Sequence, residues 1–272
     1  MDRRALAAPS LCTMNLDLSG RRALVCGSTA GIGRACAQEL ASLGASVTLA
    51  ARDATKLAAA LSTLSGPGRH GVVVADFSNP ESARAMVEAS LADGSYHILI
   101  NNTGGPPAGA VLDATAGQLV AAFNAQLVTA QLLSQLLVPG MKEARFGRIV
   151  NITSTSVKQP IANLAISNIV RPAVAAWAKC LSQEVGAFGI TVNNVLPGYT
   201  STERLGSLME TRAKARGVPA STIEHEWIGT IPAGRLGSPA DLAAAVAFLC
   251  SPAAGYINGV NLPVDGGRLG TL

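Results

Sequence analysis

The chain has 272 residues, of which 49% are hydrophobic, 14% charged and only 4% aromatic. This composition excludes a disordered chain and supplies an aliphatic core large enough for a single α/β domain. Twenty-one basic against 17 acidic residues leave +4, and no basic stripe interleaved with aromatics points to a nucleic-acid partner.

Five cysteines, an odd number, occur without a CxxC pair: Cys12, Cys26, Cys36, Cys180 and Cys250. That argues against a disulfide framework or a metal site and fits a reducing cytoplasm. No apolar stretch is expected to cross a bilayer without polar interruption, so no membrane partner is expected. Arg3 and Arg4 precede too short an apolar run for a signal peptide. Residues 1–14 are expected to form a flexible tail, and residues 15–272 one domain.

Taken in chain order, strands are expected at Ala23–Cys26, Val47–Ala50, Val72–Ala75, Ile98–Asn101, Arg148–Ile152, Val192–Leu196 and Val260–Val264. Several lack polar alternation, as strands buried on both faces do. Between them run helical patterns: Ile32, Cys36, Leu40 and Leu43 share a face, and Leu119–Met141 and Ala173–Val185 are longer. This β-α alternation predicts a doubly wound, parallel, seven-stranded sheet in one α/β domain, with ligands beyond the carboxyl ends of the strands. The stretch 199–231 breaks the rhythm and is expected to be a lid.

After the first strand the sequence reads CGSTAGIG. Gly27 permits a sharp turn, Gly31 a close approach of backbone to a pyrophosphate, and Gly33 tight helix packing. Ser28, Thr29 and Ile32 complete the loop, and the helix that follows offers free N–H groups to phosphate. The spacing G-x-x-x-G-x-G resembles that of the short-chain dehydrogenase/reductase family. NNTGG at 101–105, GRIVNITS at 147–154, NNVLPGYTST at 193–202 and the C-terminal GRLGSPADLAAAVAFLCS and NGVNLPVDGG are similar to further family motifs in the same order. The resemblance covers about residues 15–267. It implies a Rossmann-type fold and an oxidoreductase similar to 3-oxoacyl-carrier-protein reductases, acting on a small-molecule substrate as a homotetramer or homodimer. It also implies that Asn102, Thr103 and Gly104, with Pro197, Gly198, Thr200 and Thr202, face the cofactor, and that Asp76 with Phe77 lies against its adenine.

The end of the second strand selects the cofactor. Ala51 stands where NAD-using relatives carry Asp, and Arg52 follows, able to pair with a 2′-phosphate. The expectation is NADP(H). Asp53 is either a ribose ligand or, preferred, the N-cap of the next helix. Arg34 is a second candidate for the phosphate.

The resemblance implies a catalytic Ser, Tyr, Lys and Asn. Ser154 matches the serine. The tyrosine position is Ser167, the lysine position Arg171 and the asparagine position Gln126, with Asn124 one step away. Arg171 keeps a positive charge and can hydrogen-bond the cofactor's ribose hydroxyls or a substrate carboxylate, but is a poor proton relay, and Pro172 is expected to turn it away from helical geometry. Ser154, Ser167 and Arg171 suit hydride addition to a conjugated enone, whose enolate can be stabilised by hydrogen-bond donors and protonated by water. Tyr199 is expected to line the pocket, though it is an alternative acid. His225 and Lys158 are expected to be exposed. Three readings follow: an NADPH-dependent reductase of a carbonyl or enone with a non-standard centre, a catalytically silent NADP(H)-binding sensor or scaffold, or a conventional alcohol dehydrogenase using another acid such as Tyr199.

Overall fold

A computed structural model describes residues 14–271. The tail expected for residues 1–14 lies outside the described residues, except Met14. Seven strands form one parallel sheet: β1 (Arg22–Cys26), β2 (Ser46–Ala51), β3 (Gly71–Val74), β4 (Ile98–Asn101), β5 (Gly147–Ile152), β6 (Ile190–Pro197) and β7 (Asn261–Val264). Their order is β3-β2-β1-β4-β5-β6-β7. This is the Rossmann-type doubly wound sheet, with its switch point between β1 and β4. All seven expected strands form, β4 at the expected residues and the others with ends shifted by at most two.

The helices are α1 (Gly31–Ser42), α2 (Ala54–Leu61), α3 (Pro80–Ala89), α4 (Ala116–Phe123), α5 (Thr129–Glu143), α6 (Ala165–Val185), α7 (Glu203–Arg216), α8 (Ala220–Gly229) and α9 (Pro239–Cys250). One face of the sheet buries Val47, Ile98 and Val150 under Leu40 of α1 and Leu242 and Val246 of α9. The other buries Leu24, Leu99 and Ile149 under Val87, Leu137 and Ala178. Side chains of adjacent strand residues point to opposite faces, so both faces need an apolar cover and the strands read as unbroken apolar runs.

Three expectations need correction. The single helix expected over Leu119–Met141 is α4 and α5 joined by a π-helical turn at Asn124–Val128. The joined rod Ala116–Glu143 is long and apolar enough to cross a membrane by length and composition. Here Leu133, Leu137 and Met141 are instead packed into the sheet's core. Finally, α6 runs through Pro172 without ending. Proline there only removes the N–H that would have bonded the Asn168 carbonyl, while packing of Val170, Val174 and Ala178 holds the helix together. Arg171 therefore keeps helical geometry and points inward.

The stretch 199–231 folds as a helical hairpin. Thr202 caps α7 by accepting from Leu205 N at 3.2 Å, and Gly217 ends it in the left-handed region at φ +64°. Leu205, Ala213, Ile223 and Trp227 give the hairpin a small core of its own.

Candidate active site

β1 delivers the chain into a turn at Gly27, where φ is +60° and the N–H donates to Ala50 O at 2.8 Å. Asn102 Nδ2 donates to Cys26 O at 3.2 Å and Gly27 O at 3.1 Å, tying the β4 end to this turn. A Cβ on Gly33 would sit 2.2 Å from Gly27 O, so only glycine lets α1 approach so closely. Gly31 has φ +53°, and a Cβ there would lie 3.3 Å from Thr202 Cγ2, at the edge of the cavity. The N-cap of α1 is Ala30, which supplies no side-chain acceptor. The first N–H groups of α1 are thus free for an external anion. These residues fit the diphosphate of a dinucleotide. Ile32 lines the same cavity, and Thr29 is half-buried in the turn. Ser28 is fully buried and its Oγ accepts from Ala50 N at 3.0 Å, so its side chain braces the loop instead.

The outer edge is more open. Arg52 is exposed just past β2. Asp53 accepts from Lys56 N at 2.9 Å and caps α2, the role preferred from sequence. Asp76 is exposed and accepts from Ser78 N at 3.0 Å. That bond and the Ser78 hydroxyl hold its carboxyl below the usual range, with a smaller contribution from Arg52. Phe77 is buried in the core, and its carbonyl accepts from Thr129 Oγ1 at 3.0 Å. Its ring is therefore unavailable to a ligand. Arg34 donates to Thr63 Oγ1 at 3.3 Å.

Beyond the ends of β1, β4, β5 and β6 lies a cavity of about 670 Å³. Asn102, Thr103 and Gly104 line it from β4, Ser154 from β5, and Pro197, Gly198, Thr200 and Thr202 from β6. Ser154 Oγ accepts from Ser156 N at 3.1 Å. Arg171 reaches the cavity from α6 and donates Nη1 to Ile152 O. It is buried, and burial, followed by the nearby Arg204 charge, pushes its pKa down to about 10. The guanidinium stays charged at neutral pH. Tyr199 stacks on Trp227, with ring centroids 4.6 Å apart, and accepts from Arg268 Nη2 at 3.2 Å. Arg204 spans from α7 to Pro106 O.

Ser154 and Arg171 are thus brought together on one wall. Ser167 is not: it lies half-buried in the first turn of α6, outside the cavity wall, because its hydroxyl ends one atom past Cβ where a phenol would extend. Gln126 is also off the main cavity. It is buried in the π-helical turn and lines a second space of about 20 Å³, behind Arg171 and beside Asn151. Gln126 Oε1 and Arg171 Nε have no protein partner there, and the space is large enough for one water. No lysine lines the main cavity, Lys158 is exposed, and His225 is exposed with Nδ1 2.7 Å from Ser221 O. Sequence reasoning missed Arg204, Arg268 and Asn163. Asn163 lines the cavity at φ +63°, a conformation that Asn tolerates better than most residues. Arg204 carried a faint signal as a base two residues past the Thr202 cap.

Residues 27–268 match the family model described as enoyl-(acyl carrier protein) reductase. The chain belongs to the short-chain dehydrogenase/reductase family. It is 36% identical to the 3-oxoacyl-[acyl-carrier-protein] reductase of Haemophilus influenzae, over 92% of this chain and 98% of that one. It is 34% identical to a chloroplastic tropinone reductase homologue of Arabidopsis thaliana, over 92% of this chain and 76% of that one. The L-sorbose reductase of Gluconobacter frateurii, solved with NADPH and L-sorbose, superimposes with a TM-score of 0.89 at 31% identity, covering 95% of this chain and all of that one.

Proposed function

We propose that the protein is an NADP(H)-dependent reductase of a small carbonyl or conjugated enone, working with a non-standard centre. The observation that carries this reading is that Ser154 and the buried Arg171 share one cavity with the glycine turn and the uncapped start of α1. Gly27, Thr29, Gly31, Ile32 and Gly33 would hold the diphosphate, with the backbone of Ser28. Arg52 would hold the 2′-phosphate and Asp76 the adenine, beside the backbone of Phe77. Thr103, Gly104, Pro197, Gly198, Thr200 and Thr202 would face the nicotinamide half. NADPH, when bound, supplies the hydride.

The substituted centre defines the chemistry. Ser154 and Arg171 donate hydrogen bonds to a developing oxyanion. Arg171 does not surrender its proton near neutrality, because even its lowered pKa of about 10 leaves it cationic. Oxyanion stabilisation with protonation from water suits an enolate better than an isolated alkoxide. The α7–α8 hairpin is the lid. The unpaired Cys26, Cys36, Cys180 and Cys250 support a reducing cytoplasm. Exposed Val120, Val128 and Ile169 on α4, the π-helical turn and α6 support a homotetramer or homodimer, and a monomer by light scattering would refute that.

The test is NADPH oxidation by the purified chain with ketones, β-ketoacyl thioesters, enones and quinones, repeated with NADH and with Arg52→Ala. Enone turnover that prefers NADPH and weakens with Arg52→Ala is expected. Tight NADPH binding with no turnover of any class would favour the sensor. A Tyr199→Phe variant with unchanged rate is expected, and a large loss would make Tyr199 the acid.

A further inference from the structure

This inference rests on reading the large cavity as the substrate site. One face of α7 is turned into that cavity: Arg204, Leu208, Thr211, Arg212 and Ala215 all line it, at helical spacing. Arg171 lines it from α6 and Arg268 from the C-terminal segment. Against these cations, Glu203 is the one acidic side chain on the wall. Arg216 is accounted for, since it pairs with Glu226 through Nη2 at 2.9 Å. The others are not. Among the described residues, no carboxylate lies within 4 Å of the charged nitrogens of Arg171, Arg204, Arg212 or Arg268.

Arg268 keeps a buried Nε without a protein partner, while the Arg171 Nε is the one beside Gln126 at the small space. Arg171 is about nine-tenths buried, with a relative exposure of 9%. A buried cation without a counter-charge is costly, and proteins seldom retain one without use. Arg204, an exposed residue of the same wall, adds its positive charge to the surroundings of Arg171. Both guanidiniums meet the chain near the reacting end. Arg171 binds the carbonyl of Ile152, two residues before Ser154, and Arg204 binds the carbonyl of Pro106, two residues past Gly104. The wall also carries apolar groups, from Ile161, Leu164, Leu205 and the Tyr199–Trp227 stack.

We infer that the substrate is a carboxylate with an apolar body, its acid group taken between Arg204 and Arg171 beside Ser154 and drawn in past Arg212. A planar guanidinium matches a carboxylate with paired N–H donors, and such charge-assisted bonds are the strong ones. The acid group next to the reacting carbon also polarises it toward hydride addition once its charge is neutralised.

The test is calorimetric binding to the NADP⁺-loaded full-length chain, where the cofactor's phosphates are already in place and no turnover occurs. The probes are benzoylformate and benzylidenepyruvate, each against its methyl ester. Each acid is expected to bind at least about tenfold more tightly than its ester. Arg204→Gln is expected to erase most of that preference and Arg204→Lys to retain part of it, with NADP⁺ affinity unchanged in both. Equal binding of acid and ester, no binding of either, or a preference that survives Arg204→Gln would overturn the inference. NADPH turnover of the neutral esters alongside any of those results would leave the reductase reading standing. Failure to bind NADP⁺ at all would remove both.

Discussion

Arg171 donates its guanidinium to the backbone carbonyl of Ile152, and so links the buried middle of α6 to the end of β5 that carries Ser154. This bond separates activity from stability. Replacing Arg171 by Met leaves one carbonyl unsatisfied, at about 1–3 kcal/mol, but also removes a buried cation, a gain of similar size. The expected outcome is a urea midpoint close to wild type with kcat/KM down about 100-fold, the size of losing one oxyanion donor. A variant that keeps its turnover would show that Arg171 is only a brace.

Reinstating the family's usual pair tests the altered centre directly. Ser167→Tyr extends a phenol from the first turn of α6 towards the cavity that the serine does not reach, and Arg171→Lys supplies a base-tuning ammonium beside it. General-acid help is worth about 10²–10⁴ in rate. The double variant is expected to raise simple-ketone reduction relative to enone reduction by about tenfold or more. An unchanged ratio between the two would refute the link between the substitutions and the type of substrate.

The glycine turn has almost no tolerance at one position. Gly33→Ala would place a methyl 2.2 Å from Gly27 O and 2.6 Å from Asn102 Nδ2. α1 would have to retreat, at about 1–3 kcal/mol of overpacking, and its free N–H groups would move away from the diphosphate. Fluorescence titration is expected to show NADPH affinity at least about tenfold weaker, and wild-type affinity would mean that the cradle lies elsewhere.

The strands, their order and the glycine turn were legible because each rests on local chemistry: apolar runs buried on both faces, and glycines where a Cβ cannot fit. Asp53 was legible as a cap for the same reason. Features that depend on register or on side-chain length were not. Ser167 holds the aligned position of a catalytic group, yet alignment says nothing of reach. Pro172 reads as a breaker, but tertiary packing carries α6 past it. Arg204 and Arg268 belong to segments far apart in the chain, and only the hairpin's packing turns them into the same cavity.

Register also hid a row of four asparagines. Asn101, Asn151, Asn194 and Asn261 are direct partners across β4, β5, β6 and β7. Each passes an amide hydrogen bond to the next, at 2.8, 2.9 and 2.8 Å. Asn151 is buried and serves both neighbours. Asn151→Ala leaves an Asn101 donor and an Asn194 acceptor unmet, and is expected to cost about 2–4 kcal/mol by urea unfolding, from roughly 1–3 per orphaned group. Asn261→Ala, at the exposed end of the row, leaves only the Asn194 donor unmet and is expected to cost about half as much, roughly 1–2 kcal/mol. Equal losses at the two positions would argue against the row acting as a connected unit.

Acid should act on the start of α9. Ser238 and Asp241 form a capping box there, and Asp241 also accepts from Arg235 Nη1 at 2.8 Å and Nη2 at 3.0 Å. Arg235 first, then the Ser238 amide and hydroxyl, hold the Asp241 carboxyl far below the usual carboxylate range. A folded-state pKa below the unfolded one means the stabilisation is complete above the unfolded value of about 3.9 and is lost as pH falls below it. The Asp241 side chain is about one-third exposed and Arg235 more so, so solvent screens the pair and the contribution is modest, about 1 kcal/mol as for other caps. Asp241→Asn should therefore lower the urea midpoint at pH 7, and the gap from wild type should close as the pH is taken below about 3. A gap that stays constant with pH would show that the carboxylate's charge contributes nothing and that the asparagine merely fits the cap less well.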